Sequence, residues 1–311
     1  MKFRKTLNSN RNIERGEAMK KKACVFWLIV FMAMIFSFAE ESQKGLKVFI
    51  SVDMEGVAGV IHWEDVSRDG KDYPLFRKLM TEEANAAIEG ALEAGATEIL
   101  VRDSHGSGRN ILPDLLRREA DLIRDWSGGP FSMMEGIDET FDAVIFVGYH
   151  ARAGTPDAVL KHTMTGRIFD LILNGKRMPE AGINGAIAGH FGVPVVLVAG
   201  DLAICKQAKE LFGEVETVAV KEGIGKAARM LHPQKAQELI RKKTSEALRR
   251  LKDFKPYKLN HPFTLEVVYV EEGYAERASW IPGAKRTGER SVSFTSNDFV
   301  EVLKFFSFAE E

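Results

Sequence analysis

Asp53 and Glu55 stand at i and i+2 in Ser51-Val52-Asp53-Met54-Glu55-Gly56, where the apolar run 47–52 ends. On an extended strand such residues share a face, so the two carboxylates converge on one point. Like charges held that close repel unless a metal, a lysine or water lies between them. Three later strand ends carry side chains able to answer them: Asp103-Ser104-His105, Gly148-Tyr149-His150 and, just after a hairpin, Glu180. Asp201 closes a further apolar run, and His162 lies in the loop between His150 and Glu180. Asp, Glu and His without cysteine form the donor mix of zinc, manganese or iron in a hydrolytic site. A carboxylate that bridges two ions is the usual device of a dinuclear one. Each residue alone has a blander role: a strand-terminal aspartate is more often a helix cap or turn former, and a single histidine more often a half-buried imidazole. The coincidence of four strand-edge elements, each ending in a metal-competent side chain, carries the weight. His62, His190, His232 and His261 lack that placement and read as structural.

The elements that must position these groups alternate strand and helix. Residues 47–52 read as a buried strand, and Gly56 to Gly59 as its flexible exit. Residues 75–94 place Leu75, Leu79, Ala86, Ala87 and Leu92 at helical spacing and stop at Gly95, a good C-cap. A short strand at 98–101 then delivers Asp103 and His105. The right-handed crossover of such a unit puts both strand ends on one edge. Residues 143–148 are too apolar for anything but a central strand. Asn174-Gly175, between 169–173 and 176–178, predicts a hairpin with a type I′ turn, with Glu180 opening a small-residue helix over 181–189. Strands at 120–123, 193–198, 215–220, 264–270 and 292–295 and helices at 233–251 and 298–309 complete the expected set. The fold class is α/β: a three-layer sheet-and-helix core with a second, smaller α+β domain contributed mainly from about residue 251 onward.

Of the 311 residues, 45% are hydrophobic and 28% charged, ordinary globular usage. The formal net charge of −1 hides an asymmetry. Residues 1–39 hold eight Lys/Arg and two Glu, leaving 35 basic and 42 acidic residues beyond them, a balance of −7 that argues against nucleic-acid binding. Lys20-Lys21-Lys22, the apolar run 23–39 and its end at Ser37-Phe38-Ala39 have the parts of a secretory signal peptide. Export to the periplasm or cell surface is the expectation. An uncleaved membrane anchor is the alternative, since 17 apolar residues lie at the short end of a span. Met19 directly before the lysines makes residues 1–18 either a long basic leader or chain ahead of the true start. Cys205 would be the single thiol after cleavage, so no internal disulfide is possible. Gly106-Ser107-Gly108 and Gly128-Gly129 do not form a phosphate-binding fingerprint and read as turns.

These strings resemble the zinc D-aminopeptidases of the dipeptide-transport-protein type, peptidase family M55. The resemblance runs from about Lys47 onward through Ser51-Val52-Asp53-Met54-Glu55-Gly56, Met80-Thr81-Glu82-Glu83-Ala84-Asn85, Asp103-Ser104-His105, Pro130-Phe131-Ser132-Met133, Gly148-Tyr149-His150-Ala151-Arg152-Ala153 and Val198-Ala199-Gly200-Asp201. It implies that residues 40–311 form an M55-like metallo-aminopeptidase with two Zn²⁺ per chain, manganese or another divalent ion being the other filling. It implies Asp53 as the bridging ligand, Glu55 and His150 on one ion, His105 and Glu180 on the second, and Asp103 behind them orienting a ligand. His162 would be the catalytic residue, assigned as nucleophile in that family, although a proton-transfer or oxyanion role suits its chemistry better. Short peptides with a free N-terminal D-residue would be the substrates. A homo-oligomer would be the assembly, with a large ring, in one form decameric, enclosing the active sites. Two other classes stay open on the residues alone: a dinuclear metallophosphoesterase, and an exported peptide-binding protein without catalysis.

Overall fold

The computed structural model describes residues 45–310, so the signal, anchor and start-site expectations for residues 1–39 lie outside the described residues. Strand β1 (Leu46–Val52) is flanked by β2 (Ala96–Asp103) and β4 (Ala143–Tyr149), both parallel to it. The short β3 (Asp121–Ile123) extends the sheet beyond β2. On the other side β7 (Val195–Asp201), β8 (Glu216–Ile224) and β9 (Ala227–Met230) follow, giving the order β3-β2-β1-β4-β7-β8-β9 with only β9 antiparallel. The strand order reverses between β1 and β4, and open α/β sheets bind ligands in the crevice at such a switch point.

The two-residue period of the strands sorts side chains into two cores. Val48, Ile50 and Val52, with Ala143, Ile145 and Val147, pack on one face against α2 (Tyr73–Glu93) and α5 (Pro233–Arg249). Phe49, Val144 and Phe146 point to the other face, toward α3 (Glu180–His190), α4 (Leu202–Phe212) and a second sheet. Each large apolar side chain so buried contributes roughly 1.5–3 kcal/mol. The second sheet is antiparallel, in the order β11-β12-β10-β5-β6. It draws β5 (Ile168–Leu173) and β6 (Lys176–Arg177) from mid-chain, and β10 (Phe263–Tyr269), β11 (Lys285–Gly288) and β12 (Ser291–Ser296) from beyond residue 251. Helices α6 (Glu272–Ala278) and α7 (Phe299–Ala309) cover it. The α/β class, the layered core and the smaller α+β sheet are as expected from the sequence.

Several elements differ from expectation, the unpredicted strands β9 and β11 among them. Helix α4 and the short α1 (Trp63–Val66) and α6 occupy stretches with no predicted element, and β8 runs four residues past its expected end at Val220. The exit from β1 is not flexible: residues 56–58 are buried, and a Cβ on Gly56 would lie 1.9 Å from the Tyr149 carbonyl oxygen. That glycine serves close approach of two backbones rather than freedom of motion. Among the described residues no helix is long and apolar enough to cross a membrane.

Candidate metal centre

The ends of β1, β2 and β4 meet at the switch point. Asp53 and Glu55 follow β1 while Met54 between them enters the opposite core, so the two carboxylates share a side as the strand period requires. His105 follows β2, His150 follows β4 and Glu180 is the first residue of α3, directly after the Asn174-Gly175 hairpin. Asp53, Glu55, His150 and Glu180 are almost wholly buried, and His105 and His162 only slightly less so.

Two groups form around Asp53. In the first, His105 Nδ1 lies 3.0 Å from Glu55 Oε2 and 3.4 Å from Asp53 Oδ1. In the second, His150 Nε2 lies 3.3 Å from Glu180 Oε1 and 3.4 Å from Asp53 Oδ2, with His162 Nε2 3.6 Å from Glu180 Oε1. Asp53 thus turns one oxygen to each group, as a bridging carboxylate must. The close pairs are Glu55 with His105 and His150 with Glu180, rather than the Glu55–His150 and His105–Glu180 pairing that the family resemblance implied. Register accounts for the difference: Val52 pairs with Asp103 across the β1–β2 ladder, which carries His105 to the Glu55 side.

The three histidines are oriented alike. His105 Nε2–H donates to the Val66 carbonyl (2.9 Å), His150 Nδ1–H to that of Ala151 (3.0 Å) and His162 Nδ1–H to that of Leu160 (3.0 Å). In the neutral ring each then presents a bare nitrogen to the carboxylates, the arrangement of a ligating histidine anchored by a backbone carbonyl. Acceptors therefore face acceptors. His150 Nε2 and Asp53 Oδ2 are buried with no hydrogen-bond partner, which a divalent cation between them would supply. The donor set and these orphaned atoms fit zinc.

The titration behaviour has the same origin. Burial, then Glu55, pushes Asp53 up to about 8. Burial works against ionisation of Glu55 and Glu180, but His105 holds the first well below the carboxylate range and His150 lowers the second. Burial pushes His150 down, yet Glu180, Asp53 and Glu55 outweigh it and raise it to about 10; His105 rises for the same reason beside Glu55 and Asp53. His162 goes the other way, lowered by burial and by the charge on His150.

A cleft of about 350 Å³ opens over Asp53, Glu55, His105, His162 and Glu180, walled by Trp126 to Gly129, Met164, Ser307 and Glu310. Asp103 sits behind it. It accepts from Asn110 N (2.6 Å), Asn110 Nδ2 (2.7 Å) and Ile111 N (2.7 Å), and Asn110 Nδ2 also donates to the His105 carbonyl, so Asp103 fixes the loop that carries His105. Asp201 stays out of the centre: it caps α4 through Ile204 N (3.0 Å) and accepts from Val159 N. His62 and His232 likewise cap helices, and His190 packs against Phe191 and Phe299.

Sequence reasoning does not single out the support beneath the centre. Ser51 Oγ lies 2.7 Å from both Ser104 Oγ and Tyr149 Oη, and Asn184 Nδ2 donates to Tyr149 Oη, tying β1, β2, β4 and α3 together. A serine inside an apolar strand was the available signal. Met164 N donates to Glu180 Oε1 (2.6 Å) and joins the His162 loop to the second group.

Known proteins resemble this chain along most of its length. The peptidase M55 family model, described as D-aminopeptidase, matches residues 46–308. A D-aminopeptidase of Bacillus subtilis (strain 168) is 40% identical over 263 residues, which is 83% of this chain and 94% of that protein. The solved structure described as the Zn-dependent D-aminopeptidase DppA from Bacillus subtilis, a self-compartmentalizing protease, superposes with a TM-score of 0.81 at 38% identity. It covers 85% of this chain and 98% of its own.

Proposed function

The chain belongs to the M55 family of D-aminopeptidases, and from that premise we propose that it is a zinc-dependent hydrolase of short peptides or amides with a free N-terminal D-residue such as D-Ala. The buried, unpartnered pair Asp53 Oδ2 and His150 Nε2, set among three carboxylates and three imidazoles, is the observation that supports this most directly. Asp53, Glu55 and His105 would hold one ion, and Asp53, His150 and Glu180 the other. Three carboxylates carry three negative charges, which two divalent cations offset and one does not. Bound zinc supplies Lewis acidity, which lowers the pKa of water and polarises a carbonyl.

The chain's own residues do the rest. Leu160 holds the Nδ1–H of His162, so Nε2 is the atom that accepts a proton during attack and returns it to the leaving amine. Burial, which disfavours the charged ring, keeps His162 neutral and ready to accept. The cleft is small and half enclosed by the Trp126 loop and α7, which suits short substrates. A metallophosphoesterase or a non-catalytic binding protein gains no support from the family membership. Following the self-compartmentalizing relative, the chain assembles as a homo-oligomer, a ring such as a decamer. With the basic and apolar pattern of residues 20–39, it acts outside the cytoplasm.

The test is elemental analysis of protein purified from residue 40 onward and of its Asp53→Ala variant, with hydrolysis of D-Ala-D-Ala and L-Ala-L-Ala by both. Near two zinc ions per chain and cleavage of the D-isomer, both lost in the variant, is the expected outcome. A metal-free, inactive wild-type chain after zinc and manganese are added back would falsify the proposal. Light scattering on the same sample reads the assembly, and cell fractionation reads the compartment.

A further inference from the structure

Lys221 lies on β8 and is 3% exposed. Its Nζ donates to three main-chain carbonyls of one short segment: Glu55 (2.5 Å), Val57 (2.9 Å) and Val60 (2.5 Å). These contacts span 161 to 166 residues of sequence. Glu83 of α2, also buried, closes the same segment from the other side by accepting from Ala58 N (2.8 Å), and it faces the Lys221 charge. The segment continues to Asp65, which accepts from Ile61 N and His62 N, and to Val66, whose carbonyl anchors His105.

Of the three converging carbonyls, that of Val57 also accepts from Val60 N (3.2 Å), while those of Glu55 and Val60 are met by the lysine rather than by a regular helix or strand ladder, and a buried carbonyl left unpaired is costly. An ammonium group alone offers three protons in that geometry; the planar fork of arginine and the two donors of glutamine do not. A buried lysine is costly to desolvate, so its place under the backbone of Glu55 calls for a reason beyond filling space. Two effects oppose each other there. The positive charge disfavours a cation nearby, while the three hydrogen bonds fix the segment that holds Glu55 at one end and the His105 ring at the other.

We propose that Lys221 is a positioning residue that sets the zinc affinity of the Asp53–Glu55–His105 group, leaving the His150–Glu180 group unaffected. The proposal rests on the zinc assignment above. Outer partners of metal ligands are worth roughly 10–100-fold in metal affinity when removed.

The experiment is competition between a chromophoric chelator and the protein for zinc, using the chain from residue 40 onward as wild type, Lys221→Met and Lys221→Gln, with circular dichroism and melting of each. Wild type should bind two ions. In Lys221→Met one site should weaken by roughly 10–100-fold and the other hold its affinity, and Lys221→Gln, with two donors left, should fall between. Should Lys221→Met fail to fold, Lys221→Gln reads the same asymmetry. Unchanged or tighter zinc at both sites, or equal weakening at both alongside a lower melting temperature, would overturn the proposal and leave Lys221 a structural plug. A wild-type chain that binds no zinc fails the functional assignment itself, a different result from two tight sites in wild type and variant alike.

Discussion

His162 stacks on His150 with ring centroids 4.2 Å apart and planes 6° from parallel, while Trp63 meets its ring edge-on at 5.2 Å. Two imidazoles face to face cannot both be positively charged cheaply, so the ring tied less closely to carboxylates stays neutral. That leaves His162 suited to move protons and His150 to hold a cation. His162→Ala should lower kcat by roughly 10²–10⁴ and leave the zinc content at its wild-type value. Loss of one zinc together with activity, measured by elemental analysis, would instead move His162 into the ligand set, since its Nε2 lies within reach of the same ion as His150 and Glu180. Cys205 gives a second residue-scale test. Burial, aided by Asp201, pushes its thiol up to about 12, so the reactive thiolate is scarce at neutral pH. Iodoacetamide at pH 8 should leave it unlabelled in the native chain from residue 40 onward and label it in guanidinium; rapid native labelling would mean that α4 opens.

At the scale of elements, two backbone crossings bring the β1 and β4 ligands together. Gly56 lies against the Tyr149 carbonyl, and Gly148, at φ +71°, would place a Cβ 2.1 Å from the Asp53 carbonyl oxygen. Gly148→Ala therefore has to push β4 away from Asp53 as well as adopt a left-handed conformation. Gly154, at φ +74° with nothing within 4 Å of its would-be Cβ, carries the backbone cost alone. Gly148→Ala should lose zinc and activity, whereas Gly154→Ala should lose only about 1 kcal/mol of stability, a shift of roughly 2–4 °C in melting temperature. Equal zinc affinity in the two variants would show that the crossing does not position the ligands. The strand ends themselves were legible because apolar runs at 47–52 and 143–148 give a period and an end point, and Asn174-Gly175 fixes where Glu180 emerges. Lys221 and Glu83 were not, because what satisfies them is a segment remote in sequence rather than a neighbour. The alternation of Val218 and Val220 assigns Lys221 to the outer face, and the register shift beside Asp201 breaks that pattern; Glu83, on the buried stripe of α2 beside Met80, Ala84 and Ala87, was the available signal. Strands β9 and β11 escaped for a different reason: they are short, exposed edge strands whose pairing comes from β8 and β12 rather than from their own composition.

At the scale of the molecule, the two cores on either face of the seven-stranded sheet fold around a centre that is electrostatically unfavourable on its own. Without a metal, Asp53 keeps its own proton up to about 8, and the charges of Glu55 and Glu180 are offset by protons that His105 and His150 hold, His150 up to about 10. A divalent cation would displace those protons and bind only the folded arrangement, because the unfolded chain scatters ligands that lie between residues 53 and 180. Binding to the native state alone stabilises it by RT ln(1 + [L]/Kd), about 4 kcal/mol when free zinc is 1,000-fold above Kd. For a chain of 272 residues, 40 to 311, that is a rise in melting temperature on the order of ten degrees. EDTA should therefore lower the melting temperature of the chain by about that amount and added zinc should restore it. Asp53→Asn, which keeps the shape of the side chain but cannot bridge two cations as a carboxylate does, should melt at one temperature whether zinc or EDTA is present. A wild-type protein equally indifferent to both would mean that the orphaned pair Asp53 Oδ2 and His150 Nε2 is satisfied by protons, and that the centre contributes nothing to holding the two faces of the sheet in register.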